Sequence, residues 1–343
     1  MSRTLLPVSL VAALVGSTAL ADAPSVAVDI APVHSLVARV MEGVGTPDLI
    51  VQPGASPHEY ALRPSEASAL QEADLVFWVS ARLTPWLGTA IENLASDAAV
   101  TELLETDGTI ALEARNSPLF EKHMHGADDH DDDHHDQDDH DDHAEHDDDD
   151  HGDDHDGNDD HDDHAGHDDG HGHGKIDSHA WLSPQNASNW LNAIAAQLSA
   201  ADPENAGAYF ANAAAGRAEL GAMITEVNAT LEPLRGSRYV VFHDAYQYFE
   251  NDFDFPAAGA ISVSDASDPS PSRIAEIRNR IADEGIKCVL AEPQFSQGLV
   301  ATVMEGTDAS TAVIDPLGSD LEPGAALYPQ VIRNLAASLA TCL

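Results

Sequence analysis

The sequence predicts an α/β chain of two similar lobes, each built on a mainly parallel sheet, joined by one long helix. Two observations carry that fold class. Short β-rich runs alternate with helical patterns in both halves, and an unbroken helical period from Pro203 to Leu234 separates the halves. At 343 residues, 43% of them apolar, the chain is long enough for about two domains, each able to bury a core.

The elements follow in order. Residues 1–21 read as an export signal: Arg3 gives the positive end, Leu5 to Val15 an apolar core too short to span a bilayer, and Ala19-Leu20-Ala21 a small-x-small cleavage site before Asp22. The N-terminal lobe, 22–202, opens with a strand at Val26–Ile30 and a helix over His34–Met41. A strand at Leu49–Val51, a helix over Ser65–Gln71 and a strand at Leu75–Val79 continue it, which is βαβ grammar. After an interruption, globular composition resumes at Asp177–Pro184 with a helix over Gln185–Leu198. In the linking helix, 203–234, Ala206, Tyr209, Phe210, Ala213, Arg217, Leu220, Ile224, Val227, Leu231 and Leu234 recur at helical spacing. Such a rod is about 45 Å long at about 1.5 Å per residue, enough to cross from lobe to lobe and restrict their motion. The C-terminal lobe, 235–343, repeats the theme with strands at Tyr239–Phe242, Ala258–Ile261, Cys288–Ala291 and Ala312–Ile314. Helices over Ser272–Asp283 and Gly298–Glu305 separate them.

Charge is uneven. The chain carries 60 Asp and Glu against 15 Lys and Arg, and residues 121–174 alone hold 25 of the carboxylates, one Lys and 15 of the 19 histidines. That tract has no hydrophobic period, and its composition cannot repay the entropy of ordering a backbone, so a disordered surface loop is expected. Its histidines among aspartates suit many weak, fast-exchanging metal sites. An acidic surface without a basic cluster repels phosphates, which excludes nucleic-acid binding. The two cysteines, Cys288 and Cys342, meet an oxidising compartment after export, where an even pair closes a disulfide. No C-x-x-C points to redox chemistry.

Outside the acidic tract only His34, His58, His179 and His243 remain. His58 lies in the turn Pro53-Gly54-Ala55-Ser56-Pro57, His179 before Trp181, and His243 directly after a strand, while Glu292 and Asp315 follow strands of the second lobe. In open α/β sheets, ligands bind beyond the carboxyl ends of strands. Imidazoles from both lobes with one carboxylate make the donor set of tetrahedral zinc; all-oxygen sets suit Ca²⁺ or Mg²⁺, and extra carboxylates favour Mn²⁺. Glu59 and Asp244, beside two of the histidines, are candidates to orient imidazoles. Trp78, Trp86, Trp181 and Trp190 are expected to fill cores or line lobe surfaces.

Five local motifs narrow this reading. They are Gly54-Ala55-Ser56-Pro57-His58-Glu59-Tyr60 followed by Leu62-Arg63-Pro64-Ser65, then His179-Ala180-Trp181-Leu182-Ser183-Pro184, then Phe242-His243-Asp244-Ala245-Tyr246. Ala291-Glu292-Pro293-Gln294-Phe295 and Asp315-Pro316-Leu317-Gly318 complete the set. With the His/Asp-rich insertion before the second histidine, the chain resembles, over essentially its mature length, the periplasmic zinc-binding proteins of bacterial ABC importers, within the zinc and manganese solute-binding family. The resemblance implies that His58, His179 and His243 bind metal and that Asp315 matches a second-lobe Asp that binds it in the manganese branch and some zinc members. It also implies a disulfide between Cys288 and Cys342. His243 stands where manganese-type members carry Glu, which argues for Zn²⁺. His34 falls outside the set, either a cleft-edge residue or a packing histidine.

The function implied is zinc capture in the periplasm and delivery to a membrane ABC permease, by a non-enzymatic monomer to which a periplasmic zinc chaperone is a further candidate partner. A filled tetrahedron suits binding, because catalytic zinc keeps one position open. The rivals are a periplasmic zinc buffer whose loop is the working part, a secreted zinc hydrolase with Glu59 or Glu292 as base, and uptake of manganese or iron. Since imidazole must be neutral to bind metal, affinity is expected to fall as pH drops through about 6.5.

Overall fold

Two four-stranded sheets, both wholly parallel, are threaded in the same order. In the computed structural model, which describes residues 23–115, 176–262, 269–294 and 297–343, the first sheet comprises β1 (Val26–Val28), β2 (Asp48–Leu49), β3 (Leu75–Trp78) and β4 (Ala99–Glu102), arranged β2-β1-β3-β4. The second comprises β5 (Tyr239–His243), β6 (Gly259–Ser262), β7 (Cys288–Ala291) and β8 (Ser310–Val313), arranged β6-β5-β7-β8. The export signal and the acidic tract 121–174 lie outside the described residues. Among the described residues no helix is long and apolar enough to cross a membrane.

The strands are short, and the central ones are apolar on both faces: every residue of β1, β3, β5 and β7 is buried. Parallel strands covered on both sides by helices read this way. The covering helices are α1 (Ala31–Val40), α2 (Pro64–Glu72), α3 (Pro85–Leu94), α4 (Pro184–Ala201), α6 (Gln247–Phe253), α7 (Pro271–Asp283), α8 (Gln297–Met304) and α9 (Leu327–Cys342). Proline stands in the first turn of α1, α2, α3, α4 and α7, where its missing N–H costs nothing. In α4 and α7 the residue before it, Ser183 or Ser270, also caps the helix by accepting a backbone N–H.

The rod expected over 203–234 is α5 (Ala206–Leu231), about 39 Å long, with single 3₁₀ turns at Pro203–Asn205 and Glu232–Leu234. Its buried stripe runs Tyr209, Ala213, Gly216, Leu220, Met223, Val227, Leu231. Phe210 and Arg217, expected in that stripe, face solvent instead. Close packing narrows the face: a methyl group at Gly216 would stand 3.1 Å from Leu191 of α4 and 3.2 Å from Arg39 of α1.

Against α5 pack α1 and α4 from the first half and α9 from the second. The largest apolar cluster therefore runs through both sheets, from Val28 and Phe77 through Trp190, Tyr209 and Val227 to Tyr239, Leu290 and Leu339. Ion pairs Arg39–Glu219 and Arg333–Glu226 tie α1 and α9 to the rod at its surface, each worth at most about 1 kcal/mol. The Cys288–Cys342 disulfide joins the end of α9 to the start of β7 across a Cα–Cα distance of 5.5 Å.

Candidate metal centre

In the strand order 2-1-3-4 the connections leave the sheet in opposite directions on either side of the first and third strands, opening a crevice beyond their carboxyl ends. Both sheets place polar groups there. In the first sheet Asp29, directly after β1, accepts N–H bonds from Ile30 at 2.8 Å and from Val79 at 2.7 Å, pinning the ends of β1 and β3 together. In the second, His243 ends β5 and Glu292 follows β7, and the imidazole Nδ1 lies 2.6 Å from a Glu292 carboxylate oxygen. Glu292 is buried, and its other oxygen accepts an N–H from Gln294 at 2.9 Å.

His179 is held in the same manner. Its Nδ1 lies 2.7 Å from Asp177 Oδ1, which also accepts the His179 backbone N–H at 2.9 Å, while Nε2 is buried with no hydrogen-bond partner. With Nδ1 donating to a carboxylate, the neutral form of each ring carries its acceptor nitrogen at Nε2, the arrangement that metal-binding histidines adopt.

His58 sits on the loop between β2 and α2. Gly54, at φ +82°, makes the turn that a side chain would strain. The Trp86 indole donates to the Pro57 carbonyl at 2.8 Å. Glu66, buried, accepts the Tyr60 hydroxyl and the Arg63 backbone N–H, both at 2.7 Å.

The ring of His179 stands beside both other imidazoles. Ring centroids are 5.7 Å apart for His58 and His179 and 5.3 Å for His179 and His243. Three imidazoles whose nitrogens stand about 2.0–2.1 Å from one tetrahedral zinc would have ring centres about 5 Å apart. Trp181 and Tyr246 pack on the outer sides, against His179 and His243. Among the described residues no three or more His, Cys, Asp or Glu side chains stand close enough together to hold a metal ion as they are placed.

Asp315 is placed differently. Its carboxylate accepts N–H bonds from Leu317 and Gly318 on Oδ1 and from Ser319 on Oδ2, leaving one lone pair on Oδ2 beyond those bonds. Gly318 is fixed by this turn: it has φ +70°, and a methyl group there would come within 2.7 Å of Val331. The turn is nonetheless tied to the histidines, because the Trp181 indole donates to the Pro316 carbonyl at 2.9 Å.

Other expectations resolve as follows. His34 lies buried in α1, its Nε2 donates to the Pro47 carbonyl at 3.0 Å, its Nδ1 has no hydrogen-bond partner, and burial lowers its pKa. Glu59 is exposed. Asp244 turns to Arg115 at 3.5 Å rather than to an imidazole. Burial pushes Asp244 up to about 6 and its neighbour Glu250 up to about 7, with the Arg115 guanidinium pulling both back. The groups that do orient the imidazoles are Asp177 and Glu292. Asp177 is signalled locally by its place two residues before His179, whereas Glu292 pairs with His243 only through the β5–β7 alignment.

The family model for the periplasmic component A of the zinc-uptake complex, ZnuA, matches residues 26–342. The chain belongs to that family. Curated ZnuA relatives agree along nearly their whole length. The high-affinity zinc uptake system protein of Brucella abortus is 43% identical over 96% of this chain and 94% of its own, and that of Paracoccus denitrificans is 42% identical over 98% of both. A crystal structure of ZnuA superposes with a TM-score of 0.67 at 20% identity, covering 94% of this chain and 99% of that one. The solute-binding protein FpvC from Pseudomonas aeruginosa, solved with Mn²⁺, superposes with a TM-score of 0.69 at 18% identity, covering 93% and 98%. Both share the fold of two parallel-sheet lobes and a long helix.

Proposed function

We propose that the protein captures Zn²⁺ with high affinity in the periplasm and delivers it to the membrane ABC permease of a zinc importer. The observation that carries this reading is the buried, unpartnered Nε2 of His179, whose ring lies beside those of both His58 and His243. A buried imidazole nitrogen without a partner costs free energy unless something binds it. On this reading His58, His179 and His243 are the zinc ligands, and the remaining Oδ2 lone pair of Asp315 supplies the fourth.

The chain's own groups prepare the capture. Asp177 and Glu292 hold the Nδ1 protons, fix the tautomers and raise the basicity of the nitrogens that face the ion. An imidazole-rich set suits zinc better than manganese, and four filled positions suit carrying better than turnover. Ligands drawn from both halves mean that release requires the permease to displace at least one of them. We take the chain to act as a monomer, with a periplasmic zinc chaperone as a further donor of metal.

The test is titration of the metal-free protein with Zn²⁺ and with Mn²⁺, repeated on His243→Ala. One tight zinc site is expected, preferred over manganese and weakened about a hundredfold or more in the variant, since losing a ligand costs more than losing its orienting partner. Equal affinity for the two metals, or an unchanged tight site in His243→Ala, would overturn the reading.

A further inference from the structure

The segment Ile110–Arg115 holds no candidate ligand, yet it reaches both halves of the imidazole cluster. Ile110 exchanges hydrogen bonds with the buried Asn186 side chain. The Leu112 N–H donates to the Tyr248 hydroxyl at 3.0 Å, and that hydroxyl donates to the Asp177 carbonyl at 2.9 Å. The Asp177 N–H returns to the Leu112 carbonyl at 2.8 Å, and Glu113 bridges antiparallel to Ile176. These bonds fix the backbone of Asp177, whose carboxylate holds His179. Two residues further on, Arg115 crosses to the second half. Its Nη2 lies 2.9 Å from Glu250 of α6, and its Nε lies 3.5 Å from Asp244, the residue after His243.

We propose that Arg115 is a positioning residue for metal capture, setting the spacing of His179 and His243 by drawing Asp244 and Glu250 onto the segment that anchors Asp177. The inference rests on the zinc-capture reading. Its physical basis is that all three side chains of the ion-pair cluster are largely buried, at 16%, 6% and 7% exposure for Arg115, Asp244 and Glu250. Each of Asp177, Asp244 and Glu250 keeps one buried oxygen without a hydrogen bond. Without the guanidinium these carboxylates repel one another in a medium that screens poorly, and breaking a buried pair from one side leaves its partner uncompensated. The displacement would pass to His243 directly, because the Ala245 N–H is bonded to the His243 carbonyl and the Glu250 N–H to the Tyr246 carbonyl.

The test uses the full chain, as wild type, Arg115→Lys, Arg115→Met and the double variant Arg115→Met/Glu250→Gln, which removes the uncompensated acid should the single variant fail to fold. Zinc affinity is read by chelator competition, the coordination shell by the visible absorption of bound Co²⁺, and folding by thermal unfolding of the metal-free protein. A positioning role predicts an affinity about 10–100-fold weaker in Arg115→Met and in the double variant. It also predicts a changed Co²⁺ band and partial recovery in Arg115→Lys, which keeps the charge but not the two-carboxylate span. A double variant that folds like the wild type, binds zinc as tightly and leaves the Co²⁺ spectrum unchanged overturns the inference alone. A wild-type protein without a tight zinc site overturns the capture reading, and this inference with it.

Discussion

Glu292 is fully buried and divides its carboxylate between His243 and Gln294. Its burial is sustained by being an acceptor for a ring N–H, so the amide in Glu292→Gln would be free to present a donor to that nitrogen and release the tautomer. The expected result is a zinc dissociation constant raised about 10–100-fold with the metal-free fold intact, measured by chelator competition alongside circular dichroism. An unchanged constant would show that the ring is oriented by packing alone. The histidines themselves were legible in the sequence, because outside the acidic tract only four exist and five motifs surround the site. Their orienting carboxylates were not. Glu59 and Asp244 adjoin His58 and His243 in sequence, but adjacency along a strand or loop sends neighbouring side chains in different directions. Glu292 reaches His243 from 49 positions away because β7 lies beside β5, a relation that only the sheet supplies.

Among the elements, β1 ends on a group with a cost. Asp29 is wholly buried, and desolvation pushes its carboxyl up to about 7 from an ordinary 3.8, although two backbone N–H bonds favour the ionised form. Folding therefore takes up a proton between those values. The stability this group contributes is fully present below about pH 4 and is lost as pH rises through about 7, by at most about 1.4 kcal/mol per pH unit for one proton. Asp29→Asn cannot titrate, so its unfolding free energy should fall less steeply than the wild type's between pH 5 and 8. Parallel slopes in chemical denaturation would refute the shift. The central strands and the rod were legible because burial on both faces leaves continuous apolar runs, and because a long amphipathic helix accumulates many turns of evidence. β4, α3, α6 and α9 were missed for different physical reasons. β4 is an edge strand with two exposed residues and no clean alternation, α6 has seven residues, and α3 buries only Leu87 and Ile91, whereas α9 carries a readable helical stripe of Leu327, Val331, Leu335 and Leu339. The stripe of α5 was read too wide, since spacing alone does not reveal how closely α4 and α1 approach at Gly216.

For the molecule as a whole, the proposed tight site draws on residues 58, 179, 243 and 315, all outside the acidic tract. Deleting residues 123–173 is expected to lower the total zinc bound while one tight site persists, as equilibrium dialysis followed by chelator competition would show. Loss of the tight site would mean that capture and the tract are inseparable. The repetition of one strand order in both halves was readable as rhythm, but the way the halves share their interior was not, because apolar residues do not declare which sheet they join. That sharing governs how cargo can leave. A seam of interlocked Tyr209, Val227, Tyr239 and Leu339 would have to be pulled apart before one half could swing wide of the other, exposing oily surface to water. Lifting the short arm that bears His58 breaks the bonds of the Trp86 indole and of Glu66 to Tyr60 and Arg63 and frees the edge packing of Ala55 and Tyr60, but leaves the middle of the seam closed. With His58 as a ligand, as proposed, the transporter's cheapest grip on its passenger is a finger's width of backbone rather than an entire hinge.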